Sequence, residues 1–247
     1  MIDIFRSEWT KIRSVRSTVW TLAVTALLMI GIGGLISAAA SGSADGPVPG
    51  DQVVVLGLAG IMFASLSMAT LGVLVISSEY RTGGIRTSLM AVPKRLRLLT
   101  GKIVVFTAMS LVVTVLASAA ALIVSLAIAQ PPSVPIGAAV EAVLGAGLYL
   151  TACGLFGLGL GTLVRHTPGA LVSAIALMLV LPQLTAQLPG QWGRIVNEFF
   201  TTNAGMLVVI PPRGEAMLGA WSGFGVYLVW VAAAMIAGAV LLQRRDA

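Results

Sequence analysis

The stretch TVWTLAVTALLMIGIGGLISAAA, residues 18–40, runs for 23 positions without a charged side chain. About 20 apolar residues in a helix cross a hydrocarbon core of about 30 Å. The competing reading is a cleaved secretory signal, since Ala38-Ala39-Ala40 supplies small residues suited to cleavage. A signal core, however, spans only about 7–15 residues, and the residues before this run carry a pattern of their own. The run therefore reads as a first membrane span.

Five more uncharged runs follow, at about 53–77, 103–129, 137–164, 169–188 and 220–243. Hydrophobic residues make up 57% of the 247 and charged residues only 10%, whereas a soluble domain carries about 25% charged residues. The mean hydropathy is +0.99. Gln130–Pro135, QPPSVP, separates the third and fourth runs with three prolines that no helix interior accommodates. Arg165–Gly169, RHTPG, separates the fourth and fifth. The fold class expected is an all-α integral membrane protein with six transmembrane helices.

The formal net charge is +6. Such a surplus in a soluble protein suggests nucleic acid, but no RNP, zinc-finger or basic-zipper pattern accompanies it, so no nucleic-acid partner is expected. The positive-inside rule accounts for it instead. With the N-terminus in the cytoplasm, four basic residues precede the first span and six lie between the second and third. Arg165 follows the fourth span, and Arg244 and Arg245 follow the sixth. Thirteen of 15 basic residues then fall inside, leaving only Arg194 and Arg213 outside. Both termini are expected in the cytoplasm. Arginine outnumbers lysine twelve to three beside abundant Ala, Gly and Val, the usage of a GC-rich bacterial genome and hence of a bacterial plasma membrane.

Little catalytic chemistry is present. The one histidine, His166, sits beside Arg165 at a turn and reads as a solvated interface residue. Cys153, the one cysteine, reads as a small packing residue. No zinc-protease, nucleophile-elbow or redox motif occurs. Glu141 is the one acid within a span, near its outer end, and reads as an interfacial carboxylate. The Gly101-Lys102 pair is followed by Ile103, so no P-loop is formed. ATP energy, if used, must come from another polypeptide.

Three segments carry the remaining pattern. In residues 1–17, Ile2, Phe5, Trp9 and Ile12 fall on one helix face, while Arg6, Thr10, Arg13 and Ser17 form another. That suits a helix lying in the cytoplasmic interface, with simple anchoring charges before the first span as the plainer reading. Residues 189–219 include 14 uncharged positions between Glu198 and Arg213, too short to cross and suited either to a re-entrant element or to a packed external loop. Gly157 and Gly161 form a small-xxx-small pair that serves equally for packing within the chain or for a dimer face.

The third segment, SSEYRTGGIRTSLMAVPKRLRLLTGKIV at Ser77–Val104, gathers six of the 15 basic residues: Arg81, Arg86, Lys94, Arg95, Arg97 and Lys102. Attraction to anionic lipid headgroups explains the charge at about 1 kcal/mol per residue. The layout asks for more. Gly83-Gly84 can turn the chain, Ile85, Leu89 and Met90 suit a short helix, and Pro93 breaks it. A helix set crosswise below the membrane can push on a soluble partner.

In these features the chain resembles the permease subunits of ABC-2-type transporters, in particular small bacterial exporter subunits of the ABCG-like type V fold. The shared features are the SEWTKIRSVRSTVW elbow helix, six spans, the loop pattern Glu79-Tyr80, Gly83, Leu89, Pro93, Arg95 and Lys102, and the closing RRDA. Gly84 departs from the Thr often found there. The resemblance implies one transmembrane domain over 1–247, with an elbow helix at 1–17 (Phe5, Trp9, Lys11 and Arg13), a coupling loop at 78–102 and a re-entrant segment at 189–219. It implies that Glu79, Tyr80, Arg81, Gly83, Gly84, Arg86, Leu89, Pro93 and Arg95 engage an ABC nucleotide-binding ATPase subunit that holds ATP and Mg. It further implies two permeases with two ATPases, contact with membrane lipids, and Phe199 and Phe200 at an outer gate. The expected function is export of a hydrophobic or amphipathic substrate, such as a drug, antibiotic or lipid-like molecule. A membrane anchor or sensor for a cytoplasmic protein, and a secondary carrier, are the alternatives.

Overall fold

The computed structural model describes residues 2–44, 46–81, 95–211 and 216–244. Among them there are helices and turns but no strand, as a bilayer demands of a chain that must satisfy its own backbone. An amphipathic helix α1, Ile2–Ser14, precedes α2, Arg16–Ser43. Then come α3, Gly50–Gly57, α4, Ile61–Arg81, α5, Arg95–Ala129, and α6, Ile136–Val164. The fifth apolar run comprises α7, Thr167–Ile175, a π-helical turn at Ala176–Val180, and α8, Leu181–Thr185. Short helices α9, Gly190–Phe199, and α10, Thr201–Met206, lead to α11, Ala220–Arg244. Six stretches are long and apolar enough to cross a membrane, at 16–43, 50–80, 96–129, 136–164, 167–185 and 220–244.

Two boundaries differ from the sequence reading. The third span starts at Leu96, two turns before the uncharged run, so Lys102 lies inside a helix. Placing its ammonium there requires acids nearby, and the structure supplies them. The second span is broken at Leu58–Gly60. There a Cβ on Gly60 would strike the Leu28 carbonyl, and one on Gly57 would lie 3.0 Å from Ser125. The chain breaks where α2 and α5 press against it on either side.

The centre of the bundle is α6. In its most apolar window 78% of residues are buried, against 22% in the fifth span. It is flanked by α4, α5 and α11, and glycine on each face allows this. Cβ atoms at Gly157 and Gly161 would meet Ala69 and Val73 or Ile76 of α4. One at Gly159 would meet Ala234 of α11, and one at Gly147 would meet Val115 of α5. Lipid tails are as apolar as leucine, so such close backbone approach supplies dispersion energy that the hydrophobic effect cannot. The Thr114 hydroxyl of α5 adds a hydrogen bond to the Gly147 carbonyl at 3.0 Å. Cys153 is fully buried in this core.

Gly157→Leu is expected to destabilise the fold by about 1–3 kcal/mol or more, the cost of overpacking a closed contact. Gly31→Leu should be near neutral, because Gly31 is exposed and a Cβ there meets nothing within 4 Å. Thermal unfolding in detergent of the two variants checks the contrast.

Candidate functional site

Helix α1 carries a buried acid that its basic neighbours conceal. Glu8 is fully buried and lies one turn before Lys11. Glu79, near the end of α4, and Lys102, two turns into α5, meet it there. The Lys102 ammonium sits 2.5 Å from one Glu8 oxygen and 2.8 Å from Glu79. The Lys11 ammonium sits 2.7 Å from the other Glu8 oxygen and 3.2 Å from Glu79. Each lysine thus bridges both acids, and the four charges sum to zero. Lys102 is only 2% exposed, a position an unpaired ammonium could not hold, because desolvating a lone charge costs several kcal/mol.

Titration reflects this balance. Burial alone would push the Glu8 carboxyl up, but the charge and hydrogen bond of Lys102, joined by those of Lys11, hold it below the ordinary carboxylate range. For Lys11, burial alone would lower the ammonium. The hydrogen bond it donates to Glu8 and the charge of Glu79 raise it instead.

A second brace holds the same end of α4. Arg165 closes α6 in a left-handed conformation, φ 59°, and its backbone N–H bonds the Gly161 carbonyl. Its guanidinium lies 5.2 Å from the Tyr80 ring centroid and donates to the Leu241 carbonyl at 3.1 Å. The Thr167 hydroxyl donates to Ser77 at 2.9 Å. His166 between them is exposed.

Of the residues expected in the loop, Glu79 belongs to the cluster and Tyr80 to the arginine brace. Arg81 ends α4 and Arg95 begins α5. Gly83, Gly84, Arg86, Leu89 and Pro93 lie outside the described residues. On α1, Ile12 is buried, Phe5 partly so, Trp9 is 50% exposed and Arg13 exposed. The sequence reading overlooked Glu8. Its signal was an acid three residues before a lysine on an amphipathic helix.

A polar knot lies at the other end of the fifth span. Pro182 has no N–H, so it cannot serve the carbonyl of Met178, four residues back, or that of Leu177, five back. The Thr202 hydroxyl donates to Met178 at 2.9 Å, and the Thr201 hydroxyl donates to Leu177 at 2.7 Å. The π turn at 176–180 and the start of α10 therefore complete one another. The Asn197 amide donates to Thr185 at 3.0 Å, and the Asn203 amide donates to the Asn197 carbonyl at 3.1 Å. Phe200 packs on Trp230 at 5.5 Å between centroids, and the Trp230 indole N–H donates to the Phe199 carbonyl at 3.1 Å. These bonds fasten the segment after the fifth span to both membrane-length stretches beside it. Gly157 and Gly161 are spent on α4.

Two outcomes are expected. Glu8→Gln leaves two lysines against one acid and should cost about 3–5 kcal/mol at neutral pH. With the folded-state carboxyl lowered, Glu8's contribution is present above the ordinary carboxyl range and lost as pH falls through its lowered value. Wild type minus variant stability, from thermal unfolding across acid pH, should therefore shrink toward zero. Thr202→Val should cost about 1–3 kcal/mol by stranding the Met178 carbonyl, whereas Thr21→Val, whose hydroxyl bonds only Ser17 of its own helix, should cost far less in the same assay.

A family model described as ABC-2 family transporter protein matches residues 4–182. The match takes in all four charges of the cluster and ends on Pro182. Comparison with curated proteins returned no match. With well over half of its length matched, the chain belongs to the ABC-2 transporter family, as a multi-pass membrane protein of the permease type.

Proposed function

We propose that this chain is the membrane subunit of an ATP-driven exporter and that its charge cluster transmits force from a separate ATPase. ABC-2 membrane proteins associate with ABC ATPases in general, and the observation that carries the reading is the position of Glu79 and Lys102. They lie on the two helices that enter and leave the 82–94 segment, and Glu8 and Lys11 tie both to α1. A push delivered at that segment would move α1, α4 and α5 together. From α4 it would pass through the glycine contacts to α6.

In this reading both termini are cytoplasmic and the membrane is a bacterial plasma membrane. The positive-inside distribution supports that orientation. The ATPase holds ATP and Mg, and two copies of each chain form the working unit. The coupling loop at 78–102, with Glu79, Tyr80, Arg81, Gly83, Gly84, Arg86, Leu89, Pro93 and Arg95, engages the ATPase, and α1 is an elbow helix in the interface. Helices α9 and α10 form a re-entrant segment at an outer gate that includes Phe199 and Phe200. ATP binding closes the ATPases, and the paired permeases open a central cavity outward. The substrate is hydrophobic or amphipathic, in keeping with the apolar composition of the spans.

Co-expression with the cognate ATPase tests this. Glu79→Lys and Lys102→Glu should each lower permease-dependent ATP hydrolysis at least tenfold while the ATPase still co-purifies. Combining them should restore much of the activity. Charge reversal at Arg86 and Arg95 should weaken co-purification itself. Full stimulation and assembly in all of these variants would contradict the proposal.

A further inference from the structure

We infer that a cleft between α1 and α5 binds one anionic phospholipid. The inference rests on the reading of α1 as a cytoplasmic interfacial helix. The cleft has a volume of about 340 Å³ and is lined by Phe5, Arg6, Trp9, Val104, Val105 and Ala108. Its walls are hydrocarbon or aromatic throughout, with Arg6 contributing the aliphatic part of its side chain.

Three observations assign its occupant. First, the cleft continues into an apolar stripe: Val104, Ala108, Val112 and Leu116 recur every fourth residue on α5, and all four are exposed. Such a stripe on a membrane span faces acyl chains, so a chain lying along it runs into the cleft without leaving apolar surface. Second, the other end is cationic. Arg6 and Arg13 lie seven residues apart, on one face of α1, and are exposed. Arg97 is also exposed and lies seven residues before Val104, on the same face of α5. The charges of Lys11 and Lys102 are already matched by Glu8 and Glu79, so among the described side chains the remaining positive charge on these two faces comes from arginines, whose fork suits a phosphate. Third, Trp9 borders the cleft and is 50% exposed, the half-wet setting in which tryptophan marks the headgroup level.

A phospholipid with net negative charge satisfies all three conditions. Its phosphate meets Arg6, its glycerol lies by Trp9, and one acyl chain follows the α5 stripe. The lipid would fill the gap between the helix that holds Glu8 and the helix that holds Lys102.

The test is lipid retention by the purified full-length chain, exchanged into mixed phosphatidylglycerol and phosphatidylcholine, washed in mild detergent and read by native mass spectrometry. One phosphatidylglycerol per chain should be retained over phosphatidylcholine. Arg6→Gln should lower that preference about fivefold, the factor matching roughly 1 kcal/mol for one basic residue at a membrane surface, and Arg6→Lys should keep most of it. Ala108→Phe, which fills the cleft, should abolish retention of both lipids while leaving the unfolding temperature near wild type. Equal retention of the two lipids, an unchanged preference in Arg6→Gln, or loss of self-association in place of lipid in Ala108→Phe would each overturn the inference. The last would mark the cleft as a contact between copies. Because retention needs no ATPase, this result is independent of the coupling assay.

Discussion

A buried ammonium cannot stand alone, and Lys102 is the residue on which one end of this bundle turns. Its position two turns inside α5 obliges acids to come to it. One acid arrives from the end of α4 and one from the N-terminal helix, and Lys11 balances the pair. Three helices that are distant in sequence are thereby fixed to one point. Two charges from α1 take part, so that helix cannot leave without exposing the remaining pair to a low-dielectric setting. Electrostatics here does what packing alone does weakly in a membrane, where apolar surfaces gain little by choosing protein over lipid.

The opposite end of the bundle uses the same logic with neutral groups. Pro182 removes a donor from the fifth span, and the deficit is met by hydroxyls from the next segment, Thr201 and Thr202. A π turn provides the local register for it. In both places an unsatisfied polar group in one element specifies which other element must pack against it. Between them, glycines on α6 set how closely the spans approach.

Much of this was legible in the sequence, for reasons that differ by feature. Six spans follow from uncharged runs, because the bilayer imposes length and polarity together. The proline turn at 130–135 and the break at 165–169 were visible because Pro and Gly act locally. The cluster was not visible. Lys102 read as one more loop cation, since a boundary drawn by charge necessarily stops at a charge. Glu8 was passed over, because the lysine that buries it, Lys102, lies 94 positions away. The π turn and the two threonine bonds were hidden for a similar cause: Pro182 announces a missing donor but not which hydroxyls replace it. The Gly157–Gly161 pair was recognised, yet only coordinates distinguish a face turned to α4 from one turned to another copy.

The central claim is that α1, α4 and α5 move as one body under the control of a nucleotide bound elsewhere. Spin labels at Ser7 and Thr100, both exposed on α1 and α5, would test it in the assembled transporter with Cys153 replaced. A third label at Gln243, exposed near the end of α11, supplies the reference. Pulsed electron resonance should give one Ser7–Thr100 distance with and without ATP, while the distances from either site to Gln243 shift. A Ser7–Thr100 distance that changes with nucleotide would show that the cluster opens during the cycle, and would contradict the account.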